Sequence, residues 1–323
     1  MTLESYAMFK ALDIFCGGGG SSFGAHKAGV DIVAGIDMWP LATATFSANF
    51  PNAKILTKTL ESIKPKSLYD QIGPIDILIA SPECTNHTCA KGNGERSEDS
   101  RATAFQVIHF AKAFKPRWIV MENVVHMRPW TRYEEFKNKL KILGYHISEQ
   151  VLDASHFGVP QKRRRLFIIG DLIQEPPQIV PPKKVKTKTV LDFLDQNGHW
   201  KATPLYQKGR AIATLERAER AIEKLGNNSK FLIVYYGTDG SGGWQRLDQP
   251  LRTITTVDRF AYVRPGENGY EMRMLQVPEL KKAMGFIKEY KLPFGTRREQ
   301  IHLLGNGVCP PVMKAIIKTI IKI

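Results

Sequence analysis

The chain has 323 residues, 43% of them hydrophobic, and carries a formal net charge of +15. This length allows one large domain or a large domain with a smaller partner, and four scattered cysteines exclude the disulfide framework of a small secreted protein. Such a positive charge favours an anionic partner, and nucleic acid is the leading candidate.

No stretch of the sequence looks like an export signal or a membrane span. The first residues, MTLESYAMFKALDIF, lack a basic stretch followed by an apolar core and a cleavage site, and no apolar run approaches the length needed to cross a bilayer. We therefore expect a soluble cytoplasmic protein with reduced thiols and no membrane contact.

The first 170 residues alternate short apolar runs with amphipathic stretches, which indicates a parallel sheet covered by helices. Gly144 is placed to end the last of these helices. Ligands of open α/β sheets bind outside the carboxyl ends of the strands, so residues 15–20, Asp37, 81–84 and 122–123 are expected to face one crevice. The predicted strands are 11–15, 31–37, 75–80, 117–123 and 165–170.

The pattern changes after residue 170. The prolines and lysines of EPPQIVPPKKVKTK (175–188) exclude a regular helix or a central strand and indicate a basic connection that faces the anionic partner. A helical stretch and FLIVYYGTDGSGGW follow, which we interpret as a smaller module. We predict a larger domain of residues 1–170 plus 271–323, closed by a terminal helix, and a smaller one of residues 171–270.

A glycine cluster, DIFCGGGG (13–20), lies where the first predicted strand leads into a helix. Asp37 ends the next strand, about 20 residues further on, where a carboxylate can hold a ribose. The spacing is not GxGxxG. A dinucleotide, an adenosine cofactor without a pyrophosphate such as S-adenosylmethionine, and a simple flexible turn therefore all remain open on this stretch alone.

Cys84 stands in SPECTNHTCAK (81–91), directly after the apolar run IDILIA. A thiol near the start of a helix has a lowered pKa, while an ionised Glu83 would raise it. Cys84, His87 and Cys89 could alternatively ligate zinc, but no second ligand pair stands at a fixed spacing. We expect no metal, while buried packing and a nucleophilic role both remain open on this stretch alone.

Five stretches in this order resemble the motifs of the DNA cytosine-5 methyltransferases: DIFCGGGG, SPECTNHT, MENV (121–124), GVPQKRRRLFIIG (158–170) and LLGNGVCPPV (303–312). The resemblance covers nearly the whole chain apart from residues 171–245, where that family inserts a target recognition domain. It implies an α/β fold, with the Rossmann-like sheet of S-adenosylmethionine-dependent methyltransferases and a smaller recognition domain inserted.

The resemblance also assigns the site residues. Glu83 and Thr85 stand where the family has proline and glutamine, so the surroundings of the cytosine amino group and the pKa of the thiol are expected to differ. The implied catalytic residues are Cys84, Glu122, Arg163 and Arg165, and the implied S-adenosylmethionine-binding residues are Phe15, Gly17, Gly19, Asp37, Met38 and Asn306.

The implied reaction is methyl transfer from S-adenosylmethionine to C5 of cytosine within a specific sequence of double-stranded DNA, by a monomeric enzyme of the restriction-modification type. Cys84 would add to C6 while Glu122 acts through N3, and the base would be flipped out of the duplex. The alternatives are a tRNA cytosine-5 methyltransferase and a catalytically silent DNA-binding member of the fold. The inserted segment, and the lack of the tRNA branch's second cysteine after MENV, favour DNA.

Overall fold

A computed structural model describes residues 8–83, 97–236 and 239–322, so Cys84 lies outside the described part of the chain. Its strands are β1 (Lys10–Ile14), β2 (Asp31–Asp37), β3 (Lys54–Thr57), β4 (Ile77–Ala80), β5 (Trp118–Asn123), β6 (His146–Asp153), β7 (Arg164–Asp171), β8 (Thr203–Pro204), β9 (Phe231–Val234), β10 (Trp244–Arg246), β11 (Phe260–Gly266) and β12 (Gly269–Met274). Its α-helices are α1 (Gly20–His26), α2 (Pro40–Asn49), α3 (Pro65–Ile72), α4 (Glu98–Ala102), α5 (Gln106–Phe114), α6 (Tyr133–Ile142), α7 (Ile212–Leu225), α8 (Val277–Ala283), α9 (Arg297–Asn306) and α10 (Pro310–Ile320).

The larger sheet of the described chain has the order β3-β2-β1-β4-β5-β7-β6. Neighbours from β3 to β5 are parallel, whereas β7 runs antiparallel to both β5 and β6. The prediction of a wholly parallel sheet is therefore wrong at this end. The sequence also missed β3 and β6, because these edge strands are partly exposed and lack the continuous apolar runs of the buried strands.

The reversed direction of β7 has a direct consequence for the site. In the antiparallel register, Glu122 of β5 lies opposite Phe167, and Asn123 lies opposite Leu166. The start of β7 therefore lies beside the end of β5. A parallel β7 would have carried its first residues to the opposite edge of the sheet.

Both faces of this sheet are buried. Along β4, Ile77 and Ile79 belong to one hydrophobic cluster, while Leu78 and Ala80 belong to another on the opposite face. This alternation is the two-residue period of a strand. It explains why the buried strands read as uninterrupted apolar runs in the sequence.

The second sheet has the order β10-β9-β11-β12-β8, and its pairs are antiparallel. One face packs with α7 in a separate cluster that includes Ala218 and Ile233, while Leu232 and Val234 join the cluster of the larger sheet. The sheet continues to Met274, past the expected boundary at residue 270. The division into two domains stays a prediction.

Two features of the helices agree with the expectations from the sequence: the end of α6 and the packing of α10. Gly144 has a φ of 96° directly after the last turn of α6, which is the left-handed position that glycine accommodates. The terminal helix α10 packs against α1, as the sequence predicts. The first and last helices of the described chain are thereby in contact.

Gly24 permits this helix contact, and we expect Gly24→Ala to lower the free energy of unfolding by about 1–3 kcal/mol despite the better helix propensity of alanine. A Cβ at this position would lie 2.5 Å from the carbonyl oxygen of Pro310. The control is Gly240→Ala, where a Cβ would meet no atom of the described residues within 4 Å. Denaturant unfolding of both variants measures the difference, and equal stabilities would contradict the tight contact.

Candidate active site

The turn between β1 and α1 has an unusual backbone. Phe15, Gly17 and Gly19 have φ values of 57°, 51° and 84°, so three residues of this short turn are left-handed. Glycine adopts this region freely, and it strains a phenylalanine. Gly17 and Gly19 are therefore required by the shape of the turn.

Asp37 at the end of β2 is hydrogen-bonded to this turn. Its Oδ2 atom accepts the backbone N–H of Gly17 at 2.9 Å, and its Oδ1 atom accepts that of Trp39 at 2.9 Å. Burial raises the pKa of the carboxyl, and the backbone donors partly offset this. The carboxylate is held at the carboxyl edge of the sheet, where ribose hydroxyls can donate to it.

The surroundings of the turn are compatible with an adenosine cofactor. Among the described residues, a Cβ at Gly17 would meet no atom within 4 Å. Below the turn, Asp13 accepts the Ser22 hydroxyl at 2.6 Å, while its other oxygen, Oδ1, is buried with no hydrogen-bond partner among the described residues. Burial raises the pKa of Asp13 to about 7. Asp37 offers acceptor oxygens beside the turn, whereas Asp13 is buried beneath it and is partly protonated near neutral pH.

The other two predicted cofactor residues occupy different positions. Met38 follows Asp37 and is 69% exposed, so its side chain is free to cover a ligand. Asn306 ends α9 at the start of the segment 306–308. Val308 lies against the turn, because a Cβ at Gly20 would be 2.6 Å from its carbonyl oxygen.

Glu122 and Arg165 form the charged centre of the site. The Nε atom of Arg165 lies 3.1 Å from Oε1 of Glu122, and Glu122 is only 6% exposed. Burial raises the pKa of the Glu122 carboxyl, and Arg165 followed by Arg163 lowers it in part. The carboxyl group is thus paired and shielded from water, which suits a group that exchanges a proton with a bound base.

Residues 81–83, which precede Cys84, lie close to the Glu122–Arg165 pair. Asn123, next to Glu122, donates its side-chain amide to the carbonyl oxygen of Pro82 at 3.2 Å. Residues 81–83 therefore end beside β5, and Glu83 is exposed there. The predicted role of Cys84 falls outside the described residues and stays a prediction.

Arg163 is 2% exposed and holds three backbone carbonyls. Its guanidinium donates to Ile254 at 2.9 Å, to Gly305 at 2.6 Å and to Gly307 at 3.0 Å. It therefore joins β7 to the chain returning from the second sheet and to the residues on either side of Asn306. The catalytic role predicted for Arg163 stays a prediction, and these contacts indicate positioning.

Three residues that the sequence did not single out as site residues contribute to this edge. Gln161 accepts the N–H of Ile254 at 2.9 Å, Asp13 lies below the turn, and Tyr290 donates to the carbonyl of Gly18 at 2.7 Å. Gln161 and Asp13 stand within the recognised motifs and could have been found there. Tyr290 lies outside every motif, and no local pattern marks it.

Comparison with known proteins identifies the chain. The family model for the C-5 cytosine-specific DNA methylases matches residues 9–322, and the protein belongs to this family. The prediction of a DNA (cytosine-5-)-methyltransferase is confirmed at this level.

Relatives support the same assignment. Type II methyltransferase M.HgiDI of Herpetosiphon aurantiacus is 28% identical over 93% of this chain and 90% of its own, and M1.HphI of Haemophilus parahaemolyticus is 27% identical over 96% and 86%. M.DdeI of Desulfomicrobium norvegicum is 32% identical, over 54% of this chain and 44% of its own. Some relatives are thus matched over only part of their length.

Solved structures show the same fold. The Entamoeba histolytica methyltransferase EhMeth has a TM-score of 0.70 with 17% identity and covers 98% of both chains. The S. pombe Dnmt2 methyltransferase has a TM-score of 0.67, also with 17% identity, over 98% of this chain and 99% of its own. At such low sequence identity, these similarities show a shared fold and nothing further.

Two features are absent from the described residues. No helix there combines the length and the apolar character needed to cross a bilayer. No group of three or more metal-ligating side chains is found there either, and Cys84, His87 and Cys89 lie outside that part of the chain.

The pairing of Glu122 with Arg165 predicts a shift in the pH profile. Arg165→Gln removes a cation that lowers the pKa of Glu122, so the carboxyl stays protonated to higher pH. We expect methyl transfer to be slower, with its alkaline decline moved to higher pH. The control is Arg117→Gln, which disrupts the 3.4 Å pair with Asp171 across the same two strands at the opposite edge. An alkaline limb that coincides with that of the wild type would contradict a protonated Glu122 in the reaction.

Proposed function

We propose that this DNA methylase transfers a methyl group from S-adenosylmethionine to C5 of cytosine within a specific sequence of double-stranded DNA, through a covalent Cys84 adduct. The observation that carries the proposal is the buried Glu122–Arg165 pair, at the same edge of the sheet as the turn bound to Asp37. A proton-exchanging group for the base and a cradle for the cofactor would thereby lie at one edge of the sheet.

The chemistry follows from the weak nucleophilicity of C5 in cytosine. The thiolate of Cys84 adds to C6, and the electrons of the C5=C6 bond move to C5, while Glu122 stabilises the charge through N3. Bound S-adenosylmethionine would supply the electrophilic methyl group to C5, with its S–CH3 bond breaking and S-adenosylhomocysteine as the leaving group. A base then removes the C5 proton, the C5=C6 bond reforms, and the sulfur of Cys84 leaves.

The burial of Glu122 requires the target cytosine to leave the duplex. A carboxyl that is 6% exposed cannot reach N3 of a stacked and paired base. Flipping the base out costs about a few kcal/mol, which contacts in the pocket must offset. Residues 171–270 would read the surrounding sequence in the major groove.

A basic strap, defined as residues 175–188, supports duplex DNA as the partner. The strap follows the outer edge of β6, since Gln150 bonds to the carbonyl of Pro177 at 2.9 Å and to the N–H of Ile179 at 2.8 Å. It reaches the carboxyl edge of the sheet, where a Cβ added to Gly158 would lie 3.2 Å from Cγ1 of Val185. The strap therefore ends beside the crevice.

Four exposed lysines stand at that end of the strap, and none forms an ion pair with another residue in the described ranges. They can contact phosphates on either side of the target base. We further propose a monomer that acts in the cytoplasm, where its DNA substrate is present. The four residues are Lys183, Lys184, Lys186 and Lys188.

The reaction itself is tested by transfer of labelled methyl to mixed-sequence duplex DNA and, in parallel, to tRNA. We expect label at C5 of cytosine in DNA within one sequence, and no label with Cys84→Ala. A duplex with 5-fluorocytosine at the mapped position should form a stable adduct with the wild type only, because no C5 proton can be removed. Label on tRNA alone would overturn the DNA substrate, and transfer by Cys84→Ala would overturn the covalent route.

The strap is tested by replacing its four lysines with glutamine. If all four contact phosphates, the slope of log affinity for duplex DNA against log salt concentration should become shallower by about 3 to 4. The control replaces Lys10, Lys27, Lys54 and Lys115, which are exposed at the opposite edge of the sheet, with the same change in net charge. Equal changes in the two variants would show that only net charge acts.

A further inference from the structure

Tyr290 connects the C-terminal part of the chain to the glycine turn. Its hydroxyl donates to the carbonyl oxygen of Gly18 at 2.7 Å, between residues 272 positions apart. The ring is 2% exposed and packs 4.0 Å from the ring of Phe286 and 5.3 Å from that of Phe23. The hydroxyl therefore has one fixed direction.

The hydrogen bond controls a single peptide unit of the turn. The Gly18–Gly19 peptide has its N–H bonded to the carbonyl of Cys16 at 2.8 Å and its carbonyl bonded to Tyr290. The peptide plane is thus held from both sides. Since the flanking glycines have almost no steric preference, these two bonds determine how the plane is oriented.

The approach of Tyr290 depends on glycine at position 18. A Cβ on Gly18 would lie 2.8 Å from the Tyr290 hydroxyl oxygen and 2.9 Å from Leu303. Both distances are too short for a real side chain. The turn and the segment that contains Tyr290 are therefore fitted to each other.

The donor is stable across ordinary assay conditions. Burial raises the pKa of the Tyr290 hydroxyl above its usual range, so the group keeps its proton. The backbone of the same residue is anchored as well, because the ammonium group of Lys281 donates to the Tyr290 carbonyl. Tyr290 is held at its ring, its hydroxyl and its backbone.

We infer that Tyr290 is a positioning residue for the cofactor: its hydroxyl holds the Gly18–Gly19 peptide in the orientation that binds S-adenosylmethionine. The inference rests on the proposed cofactor site. Tyr290 acts through the turn and touches neither the methyl group nor the cytosine. Its loss should therefore weaken cofactor binding and leave the chemical step unchanged.

The test is Tyr290→Phe, which keeps the ring packing and removes only the hydroxyl. The matched control is Tyr145→Phe. Tyr145 is 3% exposed, and its hydroxyl donates to the carbonyl of Pro116 at 2.7 Å, beside the first residues of β5 and far from the turn. The two variants lose the same kind of buried hydrogen bond at opposite edges of the sheet.

We expect Tyr290→Phe to raise the KM for S-adenosylmethionine about 3- to 10-fold with kcat unchanged, and Tyr145→Phe to change neither. Calorimetric binding of S-adenosylhomocysteine, which differs from S-adenosylmethionine only by the methyl group and the charge on sulfur, should weaken by a similar factor. An unchanged KM, or a fall in kcat without a rise in KM, would overturn the inference.

Two further measurements keep the test decisive. Lys281→Met leaves the hydroxyl in place and releases the Tyr290 backbone, and should raise the KM in the same direction but less. This variant applies if Tyr290→Phe does not fold. Wild-type protein that fails to bind S-adenosylmethionine would refute the proposed function itself, whereas equal binding by wild type and both variants would refute only the role of Tyr290.

Discussion

The structure depends on keeping one ion pair, Glu122 with Arg165, largely buried at the end of the main sheet. Removing a carboxylate and a guanidinium from water costs several kcal/mol for each ion, and good geometry must offset that cost. The geometry comes from the backbone, because β5 and β7 run antiparallel and bring the end of one strand to the start of the other. The reversed strand thus brings the two charges together, and the parallel remainder of the sheet carries the glycine turn and Asp37 at the same edge.

Two buried side chains, Arg163 and Tyr290, connect the C-terminal part of the chain to the site edge of the sheet. Arg163 binds carbonyls of the chain that returns from the second sheet and of the residues that flank Asn306, and Tyr290 binds the glycine turn. Arg163 also lowers the pKa of Glu122. A displacement of the C-terminal segment would therefore disturb both the glycine turn and the surroundings of the Glu122–Arg165 pair.

Much of the architecture could be predicted from the sequence. Five strands of the main sheet were expected from their apolar runs, and the turns at Gly17 and Gly144 from glycines at strand and helix ends. The direction of β7 could not be predicted, because apolar periodicity shows that a strand is buried and carries no information about which way it runs. The edge strands β3 and β6 were missed since partial exposure removes the continuous apolar signal.

The sequence by itself determined the family, the order of the motifs and the types of residue that carry the charge chemistry. Tertiary structure alone decided that Arg163 spans three segments and that Tyr290 holds Gly18. The physical reason is that both side chains bind backbone carbonyls. Every residue has a backbone carbonyl, so the amino-acid type of the accepting residue does not reveal such a hydrogen bond. Only the folded chain shows which carbonyl is within reach of the donor.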